Sequence, residues 1–436
     1  MEKIQRETLD SLFHPENVAV VGASANPGKL GHMCISSVTS GGFQGKIFTV
    51  NPSSAGGHIM GAPCYAAIDD LPEAVQLFIF AIPHNRIEDA LIAAARKGAK
   101  GAVVFAGGFK ETGAEGEDLQ NRIRYVADTH GIKIIGPNCA GTLNPHHGLN
   151  ATFIFPGFKF KKGGVAVVSQ SGGTSGAILN SMIDSNVGLS KLVSIGNRVN
   201  LDFAEMIDYL GDDPATRVIC LFIEGIDAAR NFFETAKKVS RKKPILAYQA
   251  GFAASSKVLA LSHTGSMSES EDVYRSALAQ AGVLLLNDIE EMVDTAKGLS
   301  MCEPIEGSGA AILTHSAGPA IIISDTVESG GGRVADFSTE NKRLLLEFIP
   351  RFSNPINPLD MFAHAHLDTT LYLKSLDVAL SQPDIHIACA CYIPNMGEEY
   401  RFPAREYADI AHKHHKPAIL AYQAGFAASS KVLALS

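Results

Sequence analysis

Short apolar runs rich in Val, Ile and Ala alternate along most of the chain with amphipathic stretches, and nearly every run stops at Gly, Asn or Pro. A strand that reads as continuously apolar is covered on both faces, and a helix after each such strand makes the neighbours parallel. The pattern therefore predicts a parallel α/β chain with ligands at the carboxyl ends of its strands. In the first third the strands fall at Asn17–Val21, Lys46–Val50, Leu77–Ile82, Gly101–Phe105 and Lys133–Ile135. A Gly- and Pro-containing connector with a basic patch, Gly148 to Gly164, follows. Beyond it come Val165–Ser169, Lys191–Ser194, Val218–Ile223, Ile245–Tyr248 and Val283–Leu286. A second connector, Cys302 to Gly309, precedes a strand at Ala310–Thr314. These connectors divide the chain into residues 1–150, 151–304 and 305–436. One string, Ile245 to Ser262, recurs without a change as Ile419 to Ser436.

Composition narrows the function classes. The chain of 436 residues is 46% hydrophobic and 19% charged, an ordinary globular balance, and its length suits about three domains of roughly 150 residues. A net charge of -8 argues against nucleic acid or an anionic membrane as the main partner. No apolar run reaches the roughly 20 residues of a spanning helix, and the first residues, MEKIQRETLDSLF, lack a signal-peptide core. Seven scattered cysteines suit reduced thiols in a cytoplasm. Cys389 and Cys391 lie in the apolar run Ile385–Ile393, so they read as strand thiols rather than a metal pair. The histidines form no zinc-binding spacing; His412, His414 and His415 read as a basic surface patch, and no metal site is expected.

Candidate chemistry sits where strands end. The turn Gly22-Ala23-Ser24-Ala25-Asn26-Pro27-Gly28-Lys29 follows a strand and opens a helix, an arrangement whose N–H groups can hold a phosphate. It does not match G-x-G-x-x-G, and the next strand ends in Asn51-Pro52 without the acid that holds a nicotinamide ribose, so NAD is disfavoured. The strand ends Ile82-Pro83, Gly107-Gly108 and Pro137-Asn138-Cys139 complete a nucleotide-like crevice. A second apolar strand breaks into Ser169-Gln170-Ser171-Gly172-Gly173 before a helix from about Thr174 to Ile183, whose positive end attracts a dianion. Glu224 closes the apolar strand Val218–Ile223. A carboxylate there can hold one imidazole nitrogen and leave the other free to attack phosphorus. The imidazole is His263, set in Ser262-His263-Thr264-Gly265, where small neighbours admit a bulky anion.

Taken in order, VVGASANPGKLG, GPNCAGTLN, VAVVSQSGG, SIGNRVNLDFAEMIDYL, FIEGI, SHTGS and NPINPLDM resemble the NDP-forming acyl-CoA synthetases, the family of ADP-forming acetate–CoA ligases related to succinyl-CoA synthetase. The resemblance covers the chain up to about residue 415. It implies an N-terminal Rossmann-like CoA-binding domain followed by two flavodoxin-like parallel-sheet domains. It also implies an α part that interconverts carboxylate, CoA and ATP with acyl-CoA, ADP and phosphate, through an acyl phosphate and a phosphohistidine. By that resemblance His263 carries the phosphoryl group, Glu224 orients it, and Ser169 to Gly173 neutralise it. Gly22, Ala23, Ser24, Pro27, Lys29, Asn51, Pro52, Ile82, Pro83, Gly107, Gly108, Pro137, Asn138 and Cys139 match the CoA site. No ATP-grasp segment is visible, so ATP or ADP with Mg is expected only through an ATP-grasp β subunit or fused domain, in an oligomer. Two departures from the family pattern stand out: Ser266-Met267-Ser268-Glu269 after the histidine tetrad, and Phe252 where a basic residue is common. They leave a second expectation, a catalytically lapsed CoA or acyl-CoA sensor.

Overall fold

The computed structural model describes residues 3–251, 271–394, 402–422 and 431–435, the first three and the last five of these by backbone alone. Two compact units emerge, Met1–Ala296 and Lys297–Ser436.

The first unit holds two seven-stranded sheets. In one, β1 (Asn17–Val21), β2 (Lys46–Val50), β5 (Leu77–Phe80), β6 (Gly101–Val104) and β7 (Lys133–Ile135) run parallel, and β3 (His58–Ile59) with β4 (Ala62–Tyr65) extends the β2 edge. Every residue of β1, β5 and β6 is buried, as the unbroken apolar runs require. Helix α1 (Lys3–Phe13) precedes this sheet, and α2 (Leu30–Ser40), α3 (Ile87–Arg96) and α4 (Ala114–His130) connect its strands. α4 stops at Gly131, whose left-handed φ of 68° closes the helix at no steric cost.

The second sheet has the order β14-β13-β12-β10-β11-β8-β9. Its members are β8 (Gly141–Asn144), β9 (Leu149–Thr152), β10 (Lys162–Ser169), β11 (Leu189–Ser194), β12 (Val218–Ile223), β13 (Ile245–Gln249) and β14 (Val283–Leu285). Its helices are α5 (Gly172–Asp184), α6 (Phe203–Gly211), α7 (Ala229–Val239), α8 (Glu271–Gln280) and α9 (Ile289–Met301). One sequence expectation changes here. Residues 141–152 join this second sheet, β8 pairing antiparallel with β11 and β9 with β8. The expected connector from Gly148 to Gly164 therefore shrinks, because its two ends are strands. Both sheets lie within the unit Met1–Ala296. The loop after β11 helps to join them: Asn197 N donates to Pro137 O at 2.9 Å, Val199 N to Gly136 O at 3.2 Å, and Asn200 Oδ1 accepts from Ile134 N at 2.9 Å.

The second unit is a sheet of order β16-β15-β18-β19-β20, with β17 also on β15. Its strands are β15 (Gly309–Thr314), β16 (Arg333–Val334), β17 (Leu359–Asp360), β18 (Ile387–Tyr392), β19 (Ala418–Tyr422) and β20 (Lys431–Leu435). All pairs are parallel except β19–β20. Cys389 and Cys391 lie on β18, and burial pushes the Cys389 thiol up to about 11. Among the described residues no helix is long and apolar enough to cross a membrane.

Candidate active site

In an open parallel sheet the ligand crevice forms where successive connections leave a strand in opposite directions. β1 lies between β2 and β5, and β10 between β11 and β12, so each sheet of the first unit has such a point. The two Gly- and Ser-rich turns singled out in the sequence follow these two strands.

After β1, Gly22 has a φ of +86°, and a Cβ on it would lie 2.5 Å from Ala81 O and 2.7 Å from Ile82 Cγ2. Gly31, in the first turn of α2, approaches the Gly22 carbonyl so closely that any side chain would overlap it. This backbone contact, closed only by glycine, leaves a concave turn between strand and helix. Ser24 Oγ accepts from Asn26 N at 3.1 Å, and Asn26 Oδ1 from Gly28 N at 3.0 Å, so the turn is held internally. Ala23 is buried, while Pro27 and Lys29 are exposed, Lys29 at the start of α2. Asn51 ties the end of β2 to the same turn, its Nδ2 donating to Ala23 O at 2.7 Å. Its Oδ1 accepts from Ser53 N at 2.9 Å, just past Pro52.

Ile82 and Pro83 follow β5, Gly107 and Gly108 follow β6, and Pro137 and Asn138 follow β7, all at the same carboxyl edge. The N–H groups of Gly108 and Phe109 already donate to Glu111 Oε1, at 2.7 and 3.2 Å. Although burial opposes it, these bonds and one from Asn197 hold the Glu111 carboxyl below the usual range. The Cys139 thiol is buried 3.3 Å from Val104 O, and burial pushes it up to about 12.

After β10, Ser171 caps α5: its Oγ accepts from Thr174 N at 3.3 Å and from Thr174 Oγ1 at 3.0 Å. Ser169 Oγ donates to Ser171 O at 2.8 Å and fixes the turn. Gly172 and Gly173 start the helix, and their N–H groups have no partner within it. Nothing lies within 4 Å of where a Gly173 Cβ would sit, so that side of the helix start is open. Gln170 is 4% exposed and reaches across to β12, its Oε1 accepting from Glu224 N at 2.9 Å and Gly225 N at 3.1 Å. Arg198 holds the same strand end from the other side, donating to Gly225 O at 3.1 Å while paired with Asp227 at 2.8 Å. Glu224 is thus presented on a strand end fixed through both its N–H and carbonyl neighbours. Gly172 sits beside Ala140, 3.3 Å from a would-be Cβ to Ala140 N, so the anion-attracting turn adjoins the Asn138 turn of the first sheet. His263, with Phe252 and Ser266 to Glu269, lies outside the described residues.

The sequence reading placed both turns and Glu224, and it named Gln170 as a phosphate-binding residue. It did not single out Arg198, Asn197 or Glu111. Arg198 and Asn197 stand in the quoted motif SIGNRVN, but their partners, Gly225 and Glu111, are far away along the chain and only the sheet order brings them near.

The CoA binding domain profile matches residues 16–145, and that of the succinyl-CoA ligase like flavodoxin domain matches residues 162–299. The α subunit of acetate–CoA ligase (ADP-forming) II from Pyrococcus furiosus is 37% identical over 88% of this chain and 83% of its own length. The chain belongs to the ADP-forming acetate–CoA ligase family. Acetate–CoA ligase (ADP-forming) I from Archaeoglobus fulgidus is 36% identical, and this chain spans only 55% of that longer relative. Among solved structures, the dinucleotide-forming acetyl-coenzyme A synthetase 1 of Ca. Korarchaeum cryptofilum, in complex with phosphate and ADP, is 32% identical. It superposes with a TM-score of 0.88 over 96% of this chain and 89% of its own. None of these matches favours a lapsed sensor.

Proposed function

We propose that this chain is the CoA-binding, phosphoryl-carrying α part of an ADP-forming acid–CoA ligase. The observation that carries the reading is the Gln170 clamp, which holds an acid at one strand end beside an anion-attracting helix start, both next to the first sheet's crevice. The Gly22–Gly31 cradle, with Lys29 at its rim, suits the pyrophosphate of CoA, and the neighbouring strand ends suit the rest of that ligand.

In the direction of ATP synthesis, a phosphate oxygen attacks the thioester carbonyl, the C–S bond breaks, and CoA leaves as thiolate and takes up a proton. One imidazole nitrogen of His263 then attacks phosphorus in the acyl phosphate and releases the carboxylate. The phosphoryl group passes on to ADP. Glu224 holds the other ring nitrogen, favouring the reactive tautomer and stabilising the cation-like phosphoimidazole. The N–H groups of Gly172 and Gly173, with the α5 dipole, offset the phosphoryl charge. The nucleotide and its Mg belong to an ATP-grasp β subunit or fused domain, in a hetero-oligomer. A reducing cytoplasm suits the seven free thiols.

The test is labelling of purified chain with acyl-CoA and radioactive phosphate. An acid-labile label on the wild type and none on His263→Asn is expected. Equal labelling of both proteins ends the phosphohistidine assignment.

A further inference from the structure

The loop between β11 and α6 carries Asn197 and Arg198, and it touches the end of β10, the first sheet's crevice and the Glu224 strand end. Ile195 N donates to Ser169 O at 2.8 Å, where β10 opens into the anion-attracting turn. Asn197 N donates to Pro137 O at 2.9 Å, and Asn197 Nδ2 donates to Glu111, the acid that holds the Gly108 and Phe109 N–H groups. Arg198 Nη1 donates to Gly225 O at 3.1 Å, next to Glu224. Connecting loops normally lie exposed, yet Asn197 and Arg198 are 4% and 7% exposed. The backbone is forced as well. Gly196 has a φ of +53°, and a Cβ there would run into Pro137 O. Arg198 has a φ of 58°, a left-handed conformation unfavourable for a residue with a side chain. Such a conformation persists where its surroundings over-determine it, and it gathers at functional sites.

A buried guanidinium is a poor way to add stability. What it offers is a rigid fork of donors. Here the fork spreads over Gly225 O, Asp202 Oδ1 at 3.3 Å and Asp227 Oδ2 at 2.8 Å. Gly225 directly follows the acid, and a glycine leaves the chain free to turn about its φ and ψ. Gln170 Oε1 holds the Gly225 N–H and Arg198 holds its carbonyl, so the peptide planes on both sides of that Cα are fixed. We infer that Arg198 is a positioning residue for phosphoryl transfer: it sets the Glu224 carboxylate by fixing Gly225, and through Asn197 and Glu111 it keeps that strand end in register with the CoA crevice. The inference rests on the ligase reading, since it takes Glu224 as the acid that orients the phosphoryl-carrying imidazole.

The test is a double-mutant cycle read by the initial rate of labelling with radioactive phosphate and saturating acetyl-CoA or butyryl-CoA, whichever is faster. The Asp202 and Asp227 side chains are 27% and 56% exposed, so Arg198→Met strands no fully buried carboxylate. Arg198→Met should slow labelling about ten- to hundred-fold, the cost of misplacing a reacting group by about an ångström. The KM for acyl-CoA should stay within about two-fold. In a Glu224→Gln chain the same substitution should add less than about two-fold, because residues that act through one group are not additive. Arg198→Lys keeps the charge without the fork and should fall between wild type and Arg198→Met. Asn197→Ala cuts the link to the crevice and should raise the KM for acyl-CoA as well as slow labelling. Where Arg198→Met prevents folding, Arg198→Lys enters the cycle, and where Glu224→Gln takes no label, Glu224→Asp replaces it. An equal loss in both backgrounds, or an unchanged rate in a folded Arg198→Met chain, overturns the positioning role while leaving the ligase intact. An unchanged KM in Asn197→Ala overturns the register with the crevice. If wild type takes no label from either thioester, the ligase reading falls and this inference with it.

Discussion

Gln170→Ala removes one acceptor that serves two backbone donors. Glu224 N and Gly225 N, at 2.9 and 3.1 Å from Gln170 Oε1, would lose their partner at a position that is 4% exposed. A buried donor left unsatisfied costs about 1–3 kcal/mol. Two such donors, one of them on a half-buried residue, give about 2–4 kcal/mol. The first unit, Met1–Ala296, has an unfolding entropy of about 0.6 kcal/mol/K at about 2.1 cal/mol/K per residue, so it should melt roughly 3–6 °C lower. The strand end bearing Glu224 would also lose its register against the α5 turn, so labelling of His263 should slow more than stability alone accounts for. Gln170→Glu is the control: it keeps the acceptor but adds a negative charge near Glu224. It should melt above Gln170→Ala yet label more slowly than wild type. The reasoning is refuted if Gln170→Ala melts within a degree of wild type and labels at the same rate, read by differential scanning calorimetry and initial labelling rate.

Three further expectations follow from other contacts. Gly31→Ala forces a Cβ onto the Gly22 carbonyl and should abolish CoA binding by calorimetry, whereas Gly28→Ala meets only Asn26 Oδ1 at 3.5 Å and should bind nearly as wild type. Lys191 and Asp213 form a buried ion pair at 2.6 Å; Lys191→Met strands the carboxylate and should destabilise by about 3–5 kcal/mol in urea titrations, with Lys191→Met/Asp213→Leu recovering most of it. The Glu111 carboxyl is depressed in the fold, so its stabilisation is present above its ordinary value of 4.5 and lost as pH falls through the lower folded value. Glu111→Gln should therefore flatten the acid limb of a Tm-against-pH curve, and an unchanged limb would assign that limb to other groups.

Fully buried strands were the most legible part of the fold. Asn17–Val21 and Val218–Ile223 coincide with their expected limits because apolar, β-branched runs between turn residues admit little else. The hairpin β8–β9 was hidden by chemistry: Thr142, Asn144, Asn150 and Thr152 are buried polar residues and give no apolar run. Distant partners satisfy two of them, Thr142 Oγ1 donating to Leu192 O and Asn144 Nδ2 to Phe13 O, each at 2.9 Å. Nothing local in the sequence encodes such bonds. The same holds for the site. Turns and their glycines are local and were visible; the reach of Gln170 and Arg198 to one strand end depends on sheet order.

The repeated string has a consequence for how the chain assembles. Its opening residues form β13 beside β12 in one unit and β19 beside β18 in the other. Two slots thus accept the same strand, and intrinsic preference gives a nascent chain no means of telling them apart. Discrimination falls to the neighbour, Val-Ile-Cys-Leu-Phe-Ile against Ile-Ala-Cys-Ala-Cys-Tyr, and to the shorter loop that closes each correct pairing. Refolding from denaturant should consequently partition between correct pairing and an exchanged trap, one that synthesis from the N-terminus avoids by filling the first slot before the second copy exists.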